Sequence, residues 1–257
     1  MPPALPALLL LLTPQAADLT SATINGWKQY IASAEPKIDA RNQNASTFLW
    51  VDEKPKRAEE VLAGKVVVEQ TKAPEIKDGM IQHWTGAVFI PNVKLDKVIA
   101  VDQDYPRHKV LYSPDVVDSR ILSRNGDNFH IFLRLRKHKV VTAILDTEHD
   151  VQYRRLAPNR EYSRSVSTSI REVRDAGEPE EKLLPVGEGF GFMWALNSYW
   201  RLEERNGGVI AECDAISLSR DVPFGTGAML GPIIRSLGEE SLKTTLESKR
   251  RAVASSK

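Results

Sequence analysis

From Lys109 to Arg220 the sequence reads as long strands, interrupted by turn signals at Asn125-Gly126, Pro158-Asn159 and Asn206-Gly207 and by one polar stretch, residues 175–189. Strands joined by two-residue turns run antiparallel, whereas parallel strands need crossovers of about a dozen residues or more. The stretch therefore predicts one antiparallel meander. No glycine-rich loop follows any strand, so neither a dinucleotide-binding nor a P-loop reading has support.

The hairpin around Asn206-Gly207 is the most informative part. If both residues take positive φ, Arg205 faces Gly208, and counting outward pairs Leu202 with Ala211, Trp200 with Cys213, Ser198 with Ala215, Leu196 with Ser217 and Trp194 with Ser219. Large residues thus stand opposite small ones on one face. The other face pairs Arg201 with Glu212 and Tyr199 with Asp214, placing opposite charges in contact, and is expected to be the more solvated. The small residues leave volume that either a ligand or the side chains of a covering helix must fill. The same arithmetic at Asn125-Gly126 pairs Leu122 with Phe129, Arg120 with Ile131 and Asp118 with Leu133. It carries Asp118 and Arg120 inside with Phe129, Ile131 and Leu133, where they would pair with each other or with a ligand head group, unless a β-bulge turns them outward.

The flanks of the meander are helical. Residues 24–40 place Ile24, Trp27, Tyr30, Ile31 and Ala34 at helical spacing, residues 93–101 suggest two further turns, and residues 224–237 and 239–253 align Met229, Leu230, Ile233, Ile234, Leu237, Leu242 and Leu246 on one side, with Gly238 as a candidate bend. Between the first two helices, residues 48–51, 65–72 and 80–90 read as short strands. The N-terminal run from Ala4 to Leu12, closed by Ala16-Ala17, has the length of an export signal and not of a membrane span, although no Lys or Arg precedes Lys28. The expected organisation is a leader at 1–17, an N-terminal helix and strands at 18–83, either separate from or an extension of the domain that follows, and that ligand-binding domain at 84–257, in a periplasmic or secreted protein.

Composition excludes several partners. Thirty-five basic residues nearly cancel 34 acidic ones, so no net field attracts nucleic acid, and a monomer is expected. The basic run Arg134 to Lys139 is read first as a solvated strand end, with transient contact to a membrane surface as its alternative use. Cys213 is the only cysteine, so no intramolecular disulfide exists, and its alternating surroundings make it a small buried filler. The histidines lack metal-ligand spacing, and no metal or cofactor is expected. Asp146, Glu148, His149 and Asp150 are expected in a loop or strand edge, and Ser163, Ser165, Ser167 and Ser169 on a solvent-facing side of a strand.

In this order the elements resemble the START-like, helix-grip (SRPBCC) superfamily: an N-terminal helix, short strands, the small helix within NVKLDKVIAVDQDY (residues 92–105), long antiparallel strands, and paired strands ending in SLSRDVP (217–223) before a closing helix that begins near Gly225. The likeness covers residues 84–253 and is architectural, since none of these motifs is individually specific. It implies an α+β fold in which a curved antiparallel sheet wraps a long C-terminal helix, with an extra N-terminal helix and strands. It also implies an internal cavity used for lipids and other apolar molecules, by binding proteins and by enzymes alike. The expected lining is Trp194, Leu196, Trp200, Phe129, Ile131, Leu133, Met229 and Ile233, with Asp118 and Arg120 as polar contacts. Binding or transport of an apolar small molecule is the leading expectation. A cyclase, dehydratase or hydrolase acting in the same cavity is the alternative, with Asp118, Tyr199 or His130 as its only candidate acid or base and no residue assigned as catalytic.

Overall fold

The computed structural model describes residues 18–138, 142–221 and 227–256, with the side chains of 138 and 227–237 left out of the description. The expected leader at 1–17 lies outside the described residues, as does Gly225, and so do the side chains of Met229 and Ile233.

The predicted meander is present and longer than its hairpins suggested. Strands β1 (Val67–Thr71), β2 (Gly79–Pro91), β3 (Val116–Asn125), β4 (Asn128–His138), β5 (Thr142–Ala157), β6 (Arg160–Arg174), β7 (Lys182–Leu183), β8 (Ala195–Arg205) and β9 (Gly208–Arg220) form one sheet. Its order is β1-β2-β9-β8-β6-β5-β4-β3, with β7 paired to β6. All the pairings are antiparallel. Residues before 84 are part of this sheet, because β1 pairs with β2 and β2 with β9.

Two helices cover opposite faces. Helix α5 (Gly227–Ser255) lies on one, joined by α3 (Leu95–Gln103), and packs Leu242, Leu246, Ala252 and Val253 against Val88, Leu202, Ala211 and Cys213. Burial of a side chain such as Leu246 contributes ~1.5–3 kcal/mol. α5 runs through Gly238, which is there for close approach, not for a bend: a Cβ would overlap Gln82 Oε1 and lie 2.5 Å from Trp84 Nε1. Helix α1 (Ser21–Ala40) covers the other face. Thr20 caps it, its hydroxyl accepting from the Thr23 N–H at 3.2 Å. Two short helices complete the chain, α2 (Pro55–Leu62), begun by a proline at its first turn, and α4 (His108–Leu111).

Residues 48–51 are not a strand. Phe48, Leu49 and Val51 are buried in an irregular segment ending in a 3-10 turn, packed on Ala87, Phe89 and Ile210. A short apolar run is compatible with any buried segment, and here it plugs the α1 face.

That face is buried, against the expectation that it is the more solvated. The Arg201–Glu212 and Tyr199–Asp214 pairings hold, but α1 and residues 41–53 cover them and bring in a second cation. Arg201 Nη1 donates to Asp214 Oδ2 at 2.8 Å, Arg41 Nη1 reaches the same oxygen at 3.3 Å, Arg41 also pairs with Glu212, and the Thr85 hydroxyl donates to Asp214 Oδ1 at 2.6 Å. Two guanidiniums thus neutralise two carboxylates inside the protein. Tyr199 is equally buried and donates to Glu35 Oε1 of α1 at 2.7 Å.

The first hairpin departs from its arithmetic for two reasons. Its two-residue turn is Gly126-Asp127, one position later than expected, so Arg124 faces Phe129, and a bulge at Leu122 shifts the register again to Ile121 with Ile131. Arg120 therefore faces Phe132 and Asp118 faces Arg134, on the side away from Ile131 and Leu133. The two pair with each other at 2.9 Å in partly exposed positions, and Lys109 adds a contact to Asp118 at 3.2 Å.

Candidate functional site

Because directly opposed residues share a face, the register of the central strands lays out the α5 face as rows. One row runs Phe129, Val151, Ser165, Ser198, Ala215, Trp84 across six strands. The next, toward the buried end, runs Tyr153, Ser163, Trp200, Cys213, Gly86. In the opposite direction lie Ile131, His149 and Ser167, then Leu196, Ser217 and Gln82. The middle of the sheet is thus paved with small side chains between walls of large ones. Ser165, Ser198, Ala215 and Ser217 stay partly exposed, whereas Phe129, Ile131 and Val151 beside them are buried. From Ser165 to Ala215 the small floor spans about 10 Å, two inter-strand spacings.

One end of this recess is closed. Leu246 of α5 lies against Gly86, where a Cβ would come within 2.9 Å of its Cδ1. Lys249 pairs with buried Asp102 of α3 and places its ammonium 4.1 Å from the Trp200 ring centroid. The Tyr105 and Tyr153 hydroxyls meet at 2.7 Å, and Tyr153 donates to the Asp102 carbonyl at 3.2 Å. Burial raises both tyrosines far above the ordinary phenol range, so they act as neutral hydrogen-bonding groups. Burial likewise raises the Cys213 thiol well above its usual value. Cys213 is an inert part of the core.

Of the residues expected to line a cavity, Leu196, Trp200, Phe129, Ile131 and Leu133 share the α5 face. Trp194 does not. It precedes β8 and packs with Tyr162, Tyr199 and Leu218 under α1. Asp118 and Arg120 are on the outer side, as described. Among the described residues, no group of three or more histidine, cysteine or acidic side chains is gathered as a metal site.

The structure adds residues that sequence reasoning placed elsewhere. The acidic cluster at 146–150 is no loop but the middle of β5, whose alternation sends Asp146, Glu148 and Asp150 outward and Thr147, His149 and Val151 inward. His130 meets Asp150 at 2.8 Å on the outer side. His149 is 3% exposed, and neither ring nitrogen has a hydrogen-bond partner. Burial holds its imidazole down at about 4, with His130 adding to the shift, so it is neutral at physiological pH. Ser163, Ser165 and Ser167 are part of the α5 face and do not face bulk solvent as a row. A bulge at Thr168 ends the alternation, so Ile170 and Glu172 continue the inner side. On the α1 face an open cleft of about 310 Å³ separates Trp27 and Ile31 from Val166 and Asn197, with Glu35 and Arg164 paired beside it.

A long antiparallel sheet closed by a C-terminal helix, with small residues between them, defines the helix-grip, START-like α+β class. No family model and no curated protein sequence matches the chain. Solved structures with similar folds include a STAR-related lipid transfer protein from Xanthomonas axonopodis (16% identity over 72% of this chain and 98% of that one, TM-score 0.46). They also include human STARD10 (11% identity, 78% and 79%, TM-score 0.44) and the Zhui aromatase/cyclase from Streptomyces sp. R1128 (11%, 68% and 94%, TM-score 0.42).

Proposed function

We propose that the protein binds a lipid or similar apolar small molecule in the recess between the α5 face of the sheet and α5. The observation that carries this reading is the partly exposed floor of Ser165, Ser198, Ala215 and Ser217, framed by the buried wall of Phe129, Ile131 and Val151 and by Trp84. Small residues there leave volume above the sheet that the sheet's own side chains do not fill. An apolar chain suits such a site, since each buried methylene contributes ~0.8 kcal/mol against an association cost of ~4–15 kcal/mol.

Native mass spectrometry of gently purified protein, before and after exposure to a lipid mixture, tests the reading. Bound apolar molecules are expected in the wild-type protein. Ser198→Phe, which fills the floor without touching the closed end, is expected to fold and to lose them. Empty wild-type protein that takes up no lipid from the mixture sinks the proposal.

A further inference from the structure

Among the described residues, His149 is the one buried histidine on the α5 face of the sheet with both ring nitrogens unpartnered. Its surroundings explain why no protein group serves it. Across the strands stand Ile131 and Ser167, and along β5 stand Thr147 and Val151. Ile131 and Val151 have no polar side-chain atom. The Thr147 hydroxyl donates to the Leu133 carbonyl at 3.0 Å, and the Ser167 hydroxyl accepts from the Leu196 N–H at 2.9 Å, where β6 and β8 part. A buried imidazole without partners costs ~1–3 kcal/mol, so its retention at the edge of the recess needs a compensating contact.

We infer that His149 is the polar anchor of the recess and selects ligands whose apolar body carries a neutral oxygen head, a hydroxyl or a carbonyl, over ligands with an ionised head. This deepens the proposed function and rests on the recess being an apolar-ligand site. A neutral imidazole offers one N–H donor and one acceptor nitrogen, and an alcohol both donates and accepts. A carboxylate or phosphate head would need a cation to offset its desolvation. Among the described residues, the α5 face offers no free cation beside His149: Lys249 is held by Asp102 at the closed end, Arg134 is on the outer side with Asp146, and Arg124, on the edge strand, lies over the Phe129 ring and donates to the Gly126 carbonyl at 2.9 Å. An ammonium head would lack a free carboxylate: Asp146, Glu148 and Asp150 point away, Glu172 on the inner side accepts from the Phe190 and Phe192 N–H groups, and Glu161 lies toward the closed end beside Arg155.

The test is a competition among three probes of one chain length, 1-dodecanol, dodecane and dodecanoate, with wild-type protein, His149→Leu and His149→Gln, read by native mass spectrometry and calorimetry at pH 7.5. Wild-type protein is expected to prefer dodecanol to dodecanoate and to dodecane, by about tenfold for a single good hydrogen bond. His149→Leu is expected to lose that preference while keeping its affinity for dodecane. His149→Gln, which keeps a donor and an acceptor, restores part of it. Thermal unfolding separates this from a structural role, because His149→Leu is expected to be at least as stable as wild type once the unpartnered group is gone. If no probe binds wild-type protein, the recess reading itself fails. If all three bind wild type and His149→Leu alike, the recess stands and the anchor is refuted. Preference for dodecanoate refutes the neutral head.

Discussion

Replacing Arg201 by methionine isolates the buried charge cluster under α1. Arg201 is fully buried, its Nη1 is 2.8 Å from Asp214 Oδ2, and its Nη2 donates to the Ile38 carbonyl of α1. Methionine keeps the apolar stem and removes the charge, leaving Asp214 and Glu212 to share Arg41. Two unit charges about 4 Å apart interact by about 4 kcal/mol at an effective dielectric near 20. Breaking one side of a buried pair costs about 3–5 kcal/mol, a large part of a typical total of about 5–15 kcal/mol. With a urea slope of about 3 kcal/mol/M, the midpoint of unfolding is expected to fall by about 1–2 M. Arg201→Met/Asp214→Leu removes both charges and leaves Arg41 with Glu212, so it is expected to regain more than half of the loss. Urea unfolding followed by circular dichroism measures both. A single variant within about 1 kcal/mol of wild type, or a double variant as weak as the sum of the two singles, refutes the view that mutual neutralisation keeps these groups inside.

Two further outcomes follow from the α5 face. The His149 imidazole has a folded value of about 4 against 6.5 unfolded, so above 6.5 it imposes no protonation penalty, and stability is lost as pH falls from there to 4, where the unfolded chain takes up a proton that the folded one does not. The loss amounts to about 3 kcal/mol. Glu212, raised by burial to about 7 from 4.5, acts with the opposite sign, its contribution declining as pH rises through that interval. The difference in unfolding free energy between wild type and His149→Leu, measured from pH 4 to 8, therefore isolates the histidine, and a flat difference contradicts its burial as a neutral group. Gly86→Ala sets a methyl 2.9 Å from both Leu246 Cδ1 and Val68 Cγ2 and 3.1 Å from the Val67 carbonyl oxygen, and is expected to cost about 1–3 kcal/mol, read as a lowered Tm. An unchanged Tm contradicts the close packing of α5 there.

Much of the architecture is legible where local chemistry is decisive. Asn206 and Gly207 take φ of 54° and 74°, and the register counted from them holds from Arg205–Gly208 to Leu196–Ser217. It fails one step further, at Trp194, because β8 begins at Ala195 and strand alternation says nothing of the residue before it. At Asp118 and Arg120, a turn one residue later moves the register by two and keeps each side chain's face, and the bulge at Leu122 moves it by one and turns both outward; neither leaves a distinct mark in the sequence. The burial of Arg201 and Glu212 was illegible for another reason: cross-strand charge pairing looks the same whether water or a helix lies above it. His149 was readable in period two, sharing parity with Leu145, Val151 and Tyr153, but the acidic residues at 146, 148 and 150 dominate the composition of that stretch.

The covering of the sheet by different helices on its two sides also divides the chromophores of the protein. Its five tryptophans fall into two optical populations, Trp84 and Trp200 on the α5 side and Trp27, Trp50 and Trp194 on the α1 side. Intrinsic emission is therefore a sum of signals from two compartments separated by the thickness of the sheet. A quencher carried into the proposed recess reaches Trp84 ahead of Trp200, which stands at the closed end beneath Lys249, and the three indoles across the sheet serve as an internal reference in the same molecule.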